Sequence, residues 1–283
     1  MSLPSWAKAL YHLDRLAARV HRIEQVLCDE VLFAALPAAQ REAFTNYVYA
    51  QRTEYLPGGA IYSHGLFDWE KQLFLSSKFP KKGCLLVGAA GGGREVVALR
   101  QLGYQVVAFE PAAMLFRGLE HACQGDADVA LACASYGDMV AAVQHQRGPL
   151  VEVLRDRSFA GIVLGWGSLV HLTQARERTS LLVALRQLAP RAPVVLSFFS
   201  RSAAAMAPAR SEQFRTWLRQ RLSPRGRFAS DLAGLSFERH GGFAKAYTDD
   251  EIKQLAADTG YEIEIQSPTG FPHALLRPTP QSS

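Results

Sequence analysis

A glycine-rich stretch between two apolar runs constrains the fold of this 283-residue chain more than any other feature. The run CLLVG (Cys84–Gly88) is followed by AAGGG, by a helical pattern from Arg94 to Leu102, and by QVVAFE (Gln105–Glu110). Apolar runs separated by a helix predict parallel strands joined by a crossover. Glycines at such a turn let the backbone approach a ligand, and the free N–H groups of the helix can bind it. The stretch therefore predicts a nucleoside site at the carboxyl end of a parallel sheet.

The rest of the chain continues this alternation of strands and helices. Further strands are predicted at Val129–Ser135, Gly161–Trp166 and Val194–Phe199. Helices are predicted at Arg94–Leu102, Ala113–Ala122, Met139–His145 and Gln174–Leu188. Five alternations indicate an α/β fold, in which helices cover both faces of a parallel sheet. Later in the chain, Thr248 is predicted to cap a helix that Gly260 ends, and FPHALLRP supplies a last strand.

The first 80 residues predict a helical extension. Apolar residues recur every three or four positions from Ser5, which is expected to cap the helix, and Pro37 closes this region. A second helix is predicted at Ala38–Arg52 and a short one near Phe67–Leu75. The chain is thus divided into an extension (1–80), a cofactor-binding core (81–200), an arginine-rich inserted cap (201–246), and a terminal helix with the closing strands (247–283).

Composition excludes several classes of protein. Apolar residues make up 48% and charged residues 20%, as is typical of soluble globular proteins. The formal charge is +5, and Arg201–Lys245 alone holds nine basic and three acidic residues, which we interpret as a solvated face. Lys8, Asp14 and Arg15 do not fit the core of a signal peptide, and no run of about 18 uncharged apolar residues predicts a membrane span. The four cysteines lack paired metal-site spacing, so we expect no metal and a cytoplasmic location.

The glycine loop fits two classes of cofactor. A dinucleotide loop needs glycines at its first, third and sixth positions, and Gly88, Ala90 and Gly93 come close to that pattern. A methyltransferase loop needs them at alternate positions, and Gly88, Ala90 and Gly92 come equally close. The loop by itself does not distinguish the two classes.

The ends of the next strands carry further candidate residues. Glu110 ends the second strand, where a carboxylate can accept hydrogen bonds from both ribose hydroxyls, and Pro111 offers a flat apolar surface to a base. Asp138 follows the third strand, where its carboxylate could receive an adenine amine while the Met139 N–H donates to a ring nitrogen. The fourth strand ends at Gly165-Trp166, at the same edge of the sheet.

Taken together, these segments resemble the class I S-adenosylmethionine-dependent methyltransferases. The matching pieces are LLVGAAGGGRE, VVAFEP, YGDM, FAGIVLGWGSLVHLT, APVVLSFF and YTDDEIKQLAADTGYEIEI. The resemblance implies a Rossmann-like doubly wound sheet of seven strands with the last strand antiparallel. It also implies S-adenosylmethionine as cofactor. The implied cofactor-binding residues are Gly88, Ala89, Ala90, Gly92, Glu110, Pro111, Asp138, Met139, Gly165 and Trp166.

Three positions depart from the family's pattern. Leu86 stands where the family often has an acid before the loop, Ala90 replaces the middle glycine, and Gly161 replaces an acid early in strand four. The contact to the cofactor's amino-acid end must then come from another residue. Glu95, in the first turn after the loop, is expected to complement the helix dipole.

The resemblance implies methyl transfer to a small-molecule acceptor at oxygen or nitrogen. His171 is the first candidate for a general base, and His240 and Tyr247 are further candidates. The acceptor site should come from segments 1–80 and 201–246, and we do not expect nucleic acid as a partner. The alternatives are an NAD(P)-dependent oxidoreductase and a non-catalytic S-adenosylmethionine-binding module. The sequence does not predict the oligomeric state.

Overall fold

Most strands form one central sheet in the computed structural model, which describes residues 4–201, 217, 221, 234–238, 241–267 and 271–280. The strands are β1 (Cys84–Gly88), β2 (Gln105–Phe109), β3 (Val129–Ala132), β4 (Phe159–Leu164), β5 (Val194–Ser197), β6 (Phe199–Ser200), β7 (Leu235–Glu238), β8 (Gly242–Tyr247), β9 (Tyr261–Ser267) and β10 (His273–Pro278). The central sheet has the order β3-β2-β1-β4-β5-β10-β9. β1 to β5 pair in parallel, and β10 runs antiparallel to both β5 and β9. This confirms the predicted seven-stranded sheet with an antiparallel last strand.

Helices precede the sheet and connect its strands. They are α1 (Ser5–Ala35), α2 (Ala38–Tyr49), α3 (Asp68–Phe74), α4 (Arg94–Gln101), α5 (Ala113–Ala122), α6 (Tyr136–His145), α7 (Val151–Leu154), α8 (Ala175–Leu188) and α9 (Asp249–Asp258). Single 3₁₀ turns occur at Thr53–Tyr55, Tyr62–His64 and Ser168–His171. Residues of β1 alternate between two apolar clusters, with Leu86 in one and Leu85 and Val87 in the other. Both faces of the sheet are therefore covered, which explains why its strands are continuous apolar runs.

The helical extension begins differently from the prediction. Pro4 is the N-cap of α1, and Ser5 is already its first helical residue, so the predicted Ser5 cap is wrong. Most of the apolar row of α1 remains exposed, and Trp6 has 67% of its surface accessible. Only the end of α1 packs closely, where Phe33 is buried against Phe243 of β8. No helix in the described part of the chain has the length and apolar character to cross a membrane.

Two capping boxes set the limits of later helices. The Thr248 side chain accepts the Glu251 N–H at the start of α9, as predicted for Thr248. The Ser135 side chain accepts the Asp138 N–H, and the Asp138 carboxylate accepts the Ser135 N–H. This second box starts α6 at Tyr136, three residues before the predicted start. It also ends the predicted third strand early, at Ala132.

A small second sheet lies beside the central one. The run predicted as a single strand, Val194–Phe199, is divided, and β6 leaves the central sheet to pair in parallel with β8. β7 pairs antiparallel with β8. Most of the predicted cap, residues 201–246, lies outside the described residues, and these strands are the main part of it that is described.

Candidate functional site

A cavity opens at the carboxyl ends of β1, β2 and β4, with α2 forming part of its wall. Its empty volume is about 890 Å³, including the part open to solvent. The predicted site residues that line it are Ala89, Ala90, Gly92, Glu110, Pro111, Trp166 and His171. The ends of three adjacent parallel strands thus bring distant parts of the sequence to one site.

The glycine loop is shaped by the protein's own backbone as well as by the cavity. A Cβ atom on Gly92 would lie 2.1 Å from the carbonyl oxygen of Tyr55. A Cβ atom on Gly118 would meet Leu56 and Pro57 at 2.7 and 3.1 Å. The segment Tyr55–Pro57 therefore crosses the loop and α5 closely, and only glycine fits at position 92, where the opposing atom belongs to the backbone. We call this segment the strap.

Glu110 is held in the cavity wall by two backbone groups. Its carboxylate oxygens accept the N–H groups of Gly91 and Ala112, each at 2.8 Å. Only 5% of the residue is exposed. Burial raises the pKa of Glu110 to about 7, although the two N–H groups and the burial act in opposite directions. The predicted acid at the tip of β2 is therefore in the cavity, positioned by the loop itself.

A buried charge cluster lies at the start of α4. The Arg94 guanidinium donates to both oxygens of Glu70, at 2.6 and 2.7 Å, and to the Glu95 carboxylate. Burial raises the pKa of Glu70, which Arg94 opposes and Glu95 reinforces. Glu95 Oε1 also accepts the backbone N–H of Trp166 at 3.3 Å. Glu95 is therefore a buried member of the cavity wall that joins α4 to the end of β4, in addition to lying in the first helical turn.

The histidine candidate from the sequence forms a hydrogen-bonded pair with a tyrosine. His171 Nδ1 lies 2.8 Å from the carbonyl oxygen of Phe243, and its Nε2 lies 3.1 Å from the Tyr49 hydroxyl. A carbonyl oxygen can only accept, so Nδ1 carries the proton and Nε2 accepts from Tyr49. Burial lowers the pKa of His171, which keeps the ring neutral. The pair thus presents an imidazole of fixed tautomer at the cavity.

One face of α2, which the sequence interpretation missed, forms the opposite wall. Glu42, Thr45, Asn46 and Tyr49 all line the cavity. Their spacing of three, one and three residues places them on one side of a helix. This face is polar, so the apolar periodicity that predicts helix faces does not reveal it. The signal that could have found it is the same helical period carried by hydrogen-bonding side chains.

Two of the predicted adenine contacts are not brought to the cavity. The Asp138 carboxylate is used in the Ser135 capping box, where its Oδ2 accepts at 2.8 and 2.9 Å. The Met139 N–H donates to the Ser135 carbonyl as part of α6, and the Met139 side chain has no exposed surface. The physical reason is the early start of α6, which places both residues inside a helix instead of on a loop.

Other predicted residues lie behind the cavity wall or outside the described residues. Gly165 donates its N–H to the Gly88 carbonyl at 2.7 Å, so these two residues join β1 to β4 behind the lining. Tyr247 is 1% exposed, and its hydroxyl donates to the Leu169 carbonyl, which makes it a core residue. A base role for Tyr247 is therefore at odds with its place in the core. His240 lies outside the described residues.

Trp166 contributes an indole to the cavity next to the strap. Its ring packs 4.8 Å from the ring of Phe67 and 6.5 Å from that of Tyr55. Its Nε1–H is buried and has no acceptor among the described residues. A buried donor without a partner costs free energy, so this N–H lowers the stability of the wall.

The charged residues of the wall are mostly acidic. Glu42, Glu95 and Glu110 supply carboxylates, whereas Arg94 is the basic residue of the described lining besides His171, which is neutral. The Arg94 charge is already engaged by Glu70. The cavity therefore favours a cationic or neutral ligand over a phosphate-rich one.

Comparison with known proteins gives matches at the level of structure. No protein-family model matches the sequence, and no curated protein sequence matches it. A methyltransferase from Methanosarcina mazei that depends on S-adenosylmethionine is similar with a TM-score of 0.50 and 15% identity, over 76% of this chain and 98% of that one. The CcbJ methyltransferase from Streptomyces caelestis gives 0.52 and 13%, over 82% and 98%.

A third solved structure supports the same assignment of fold. An S-adenosylmethionine-dependent methyltransferase from Clostridium acetobutylicum is similar with a TM-score of 0.52 and 11% identity, over 75% of this chain and 90% of that one. The strand order, the antiparallel β10 and the loop after β1 agree with these similarities. This chain has the fold of the class I S-adenosylmethionine-dependent methyltransferases.

Proposed function

We propose that this protein is an S-adenosylmethionine-dependent methyltransferase that acts on a small-molecule acceptor. The observation that carries the proposal is Glu110, a buried carboxylate at the tip of β2 that the glycine loop orients into the cavity. The solved methyltransferases with similar folds support the same cofactor. A neutral acceptor of small size suits an enclosed cavity with acidic walls better than a nucleic acid does.

The residues present fit this cofactor. S-adenosylmethionine supplies a methyl group that is already activated on a positively charged sulfonium. Glu110 would accept hydrogen bonds from the ribose hydroxyls, and Pro111 and Leu115 offer apolar surface beside it for the base. The acidic wall favours the positive charges of the cofactor.

His171 and Tyr49 would take up the proton that the acceptor loses. Methyl transfer needs a base only when the attacking oxygen or nitrogen arrives protonated. The neutral His171 can accept that proton at Nε2, directly or through the Tyr49 hydroxyl, while the Phe243 carbonyl holds Nδ1 in its protonated form. The polar face of α2 orients the acceptor, and alignment of the reacting atoms supplies much of the rate enhancement.

The acidic wall argues against the dinucleotide alternative. A nicotinamide cofactor brings a pyrophosphate to the loop after β1, where free N–H groups should meet it. In this loop the Ala90 N–H donates to Phe109, the Gly91 N–H to Glu110, and the Gly93 N–H to Ala90. A pyrophosphate would thus meet three N–H groups that are already used, and nearby carboxylates.

Transfer of labelled methyl groups tests the proposal. Wild-type protein incubated with methyl-labelled S-adenosylmethionine and a metabolite extract should label a small molecule. At a cofactor concentration near the wild-type Kd, Glu110→Ala should lose most of the transfer. Glu120→Ala, which removes an exposed acid on α5, should not. Binding of the cofactor without labelling of any extract would favour the non-catalytic alternative.

A further inference from the structure

We propose that Glu95 binds the α-ammonium group of S-adenosylmethionine, so that a carboxylate on helix α4 holds the amino-acid end of the cofactor. This inference rests on the proposed function and identifies a contact that the strands do not provide. Leu86 of β1 has no exposed surface and belongs to an apolar cluster, so β1 directs no carboxylate toward the cavity.

The hydrogen bonds of Glu95 leave one oxygen available. Oε1 accepts from Arg94 and from the Trp166 backbone. Among the described residues none donates to Oε2, although Glu95 is only 5% exposed and lines the cavity. Oε2 is not one of the fully buried atoms without a partner, so a ligand in the cavity can reach it, and a charged donor gives the strongest bond to a carboxylate.

The charge cluster around Glu95 needs a second cation to balance its two carboxylates. Two buried carboxylates, Glu70 and Glu95, share the single guanidinium of Arg94. Glu70 has the better geometry, because both its oxygens face the guanidinium and its Oε2 also accepts the Phe67 N–H. The cluster therefore carries one negative charge in excess when both acids are ionised. An ammonium at Glu95 Oε2 would balance it.

Glu95 and Glu110 lie in one cavity, where one ligand can contact both of them, one at each end. Both line the same cavity, one on the turn after β2 and one in the first turn of α4. They are near enough that the Glu95 charge contributes to the raised pKa of Glu110. Glu110 suits the ribose end, which leaves Glu95 and the adjacent Trp166 for the amino-acid end.

Calorimetry with three adenosine ligands tests this assignment. The ligands are S-adenosylhomocysteine, its decarboxylated aminopropyl analogue, and 5′-methylthioadenosine, which lacks the ammonium. Glu95→Gln keeps the size and the acceptor oxygen but removes the charge. It should raise the Kd of the two ammonium-bearing ligands by about 10- to 100-fold, as expected for loss of a charge-assisted hydrogen bond. The Kd of 5′-methylthioadenosine should not change.

Two further variants make the result specific. Glu120→Gln removes an exposed acid on α5 that does not line the cavity, and it should change each Kd less than about twofold, well under the tenfold step of 1.4 kcal/mol. Glu95→Asp keeps the charge and should retain more affinity for S-adenosylhomocysteine than Glu95→Gln. Unchanged binding of 5′-methylthioadenosine also shows that a variant is folded.

The outcomes separate this inference from the proposed function. An equal loss for all three ligands in Glu95→Gln, or a loss confined to Glu120→Gln, would overturn the assignment of Glu95. Failure of the wild-type protein to bind any of the three would instead overturn the proposed function, and the assignment with it.

Discussion

Glu110 combines two opposing influences on one carboxyl group. Two backbone N–H groups stabilise its charged form, whereas burial favours its neutral form more strongly and raises its pKa to about 7. The site thus keeps a strong hydrogen-bond acceptor where there is little water. Burial of its charge lowers the free energy of unfolding near neutral pH. Polar hydroxyls of a bound ribose would replace the missing water.

Stability should depend on pH through this residue. Glu110 has a pKa of about 7 when folded and 4.5 as its ordinary value, so between these values the folded protein holds a proton that the unfolded chain has lost. The free energy of unfolding should therefore fall by about 3 kcal/mol as the pH rises from 4.5 to 7, and Glu110→Gln should remove this fall. Urea unfolding at pH 5 and pH 8 measures the free energy of unfolding of the wild type and of the variant. Parallel pH profiles of wild type and variant would contradict the expectation.

The tautomer of His171 can be observed directly. Burial lowers its pKa, and the Phe243 carbonyl requires a proton on Nδ1. Nitrogen-15 NMR of the imidazole at neutral pH should show a neutral ring with Nδ1 protonated. Tyr49→Phe removes the donor to Nε2 and should shift that nitrogen while leaving the protonated site unchanged. A charged ring at neutral pH, or a proton on Nε2, would show that His171 is not prepared as a base.

At the scale of elements, the strap explains why position 92 of the loop is glycine. The sequence interpretation attributed Gly92 to the approach of a cofactor, but the nearest atom is the Tyr55 carbonyl oxygen of the chain itself. The loop, the strap and α5 form one packed unit in which the protein backbone occupies part of the space that glycines leave open. The opening of the cavity is therefore linked to the position of the strap.

Substitution at Gly92 tests whether this glycine makes room for the strap or for a cofactor. Gly92→Ala would place a Cβ atom 2.1 Å from Tyr55 O, so the strap must move, and we expect a loss of about 2–3 kcal/mol in the free energy of unfolding. Gly137→Ala is the matched control, because its Cβ would meet only Ser135 Oγ at 3.4 Å in helix α6. That change should be neutral or stabilise by up to about 1 kcal/mol. Equal effects of the two substitutions would show that the strap is not packed on the loop.

The residues at which helices and strands begin and end were less predictable than the presence of these helices and strands. Cys84–Gly88 and Ala113–Ala122 have the predicted boundaries, because apolar period and flanking turns agree there. The start of α6 was misplaced, since the capping signal Ser135-x-x-Asp138 was interpreted as a ligand contact after a strand. A carboxylate three residues after a serine can serve either purpose, and the sequence alone gives no means to choose.

At the scale of the molecule, the order of strands was predictable and the shape of the acceptor wall was not. Right-handed crossovers between apolar runs leave few possible sheets, so motifs spread over the core were enough to predict this one. The cavity also depends on how α2 docks on β8, where the Phe243 N–H donates to Thr45 and the Phe243 carbonyl fixes His171. These two contacts join residues 198 and 72 positions apart and leave no local pattern in the sequence.

Calorimetric titration of the wild-type protein and Glu110→Ala with S-adenosylhomocysteine tests the account most directly. We predict saturable binding of one ligand per chain at concentrations below about 1 mM, which corresponds to roughly −4 kcal/mol or better. Glu110→Ala should weaken it by about 1–3 kcal/mol, because buried ribose hydroxyls lose their acceptor. Absence of binding, or the same Kd for both proteins, would contradict the claim that this cavity is a cofactor site centred on Glu110.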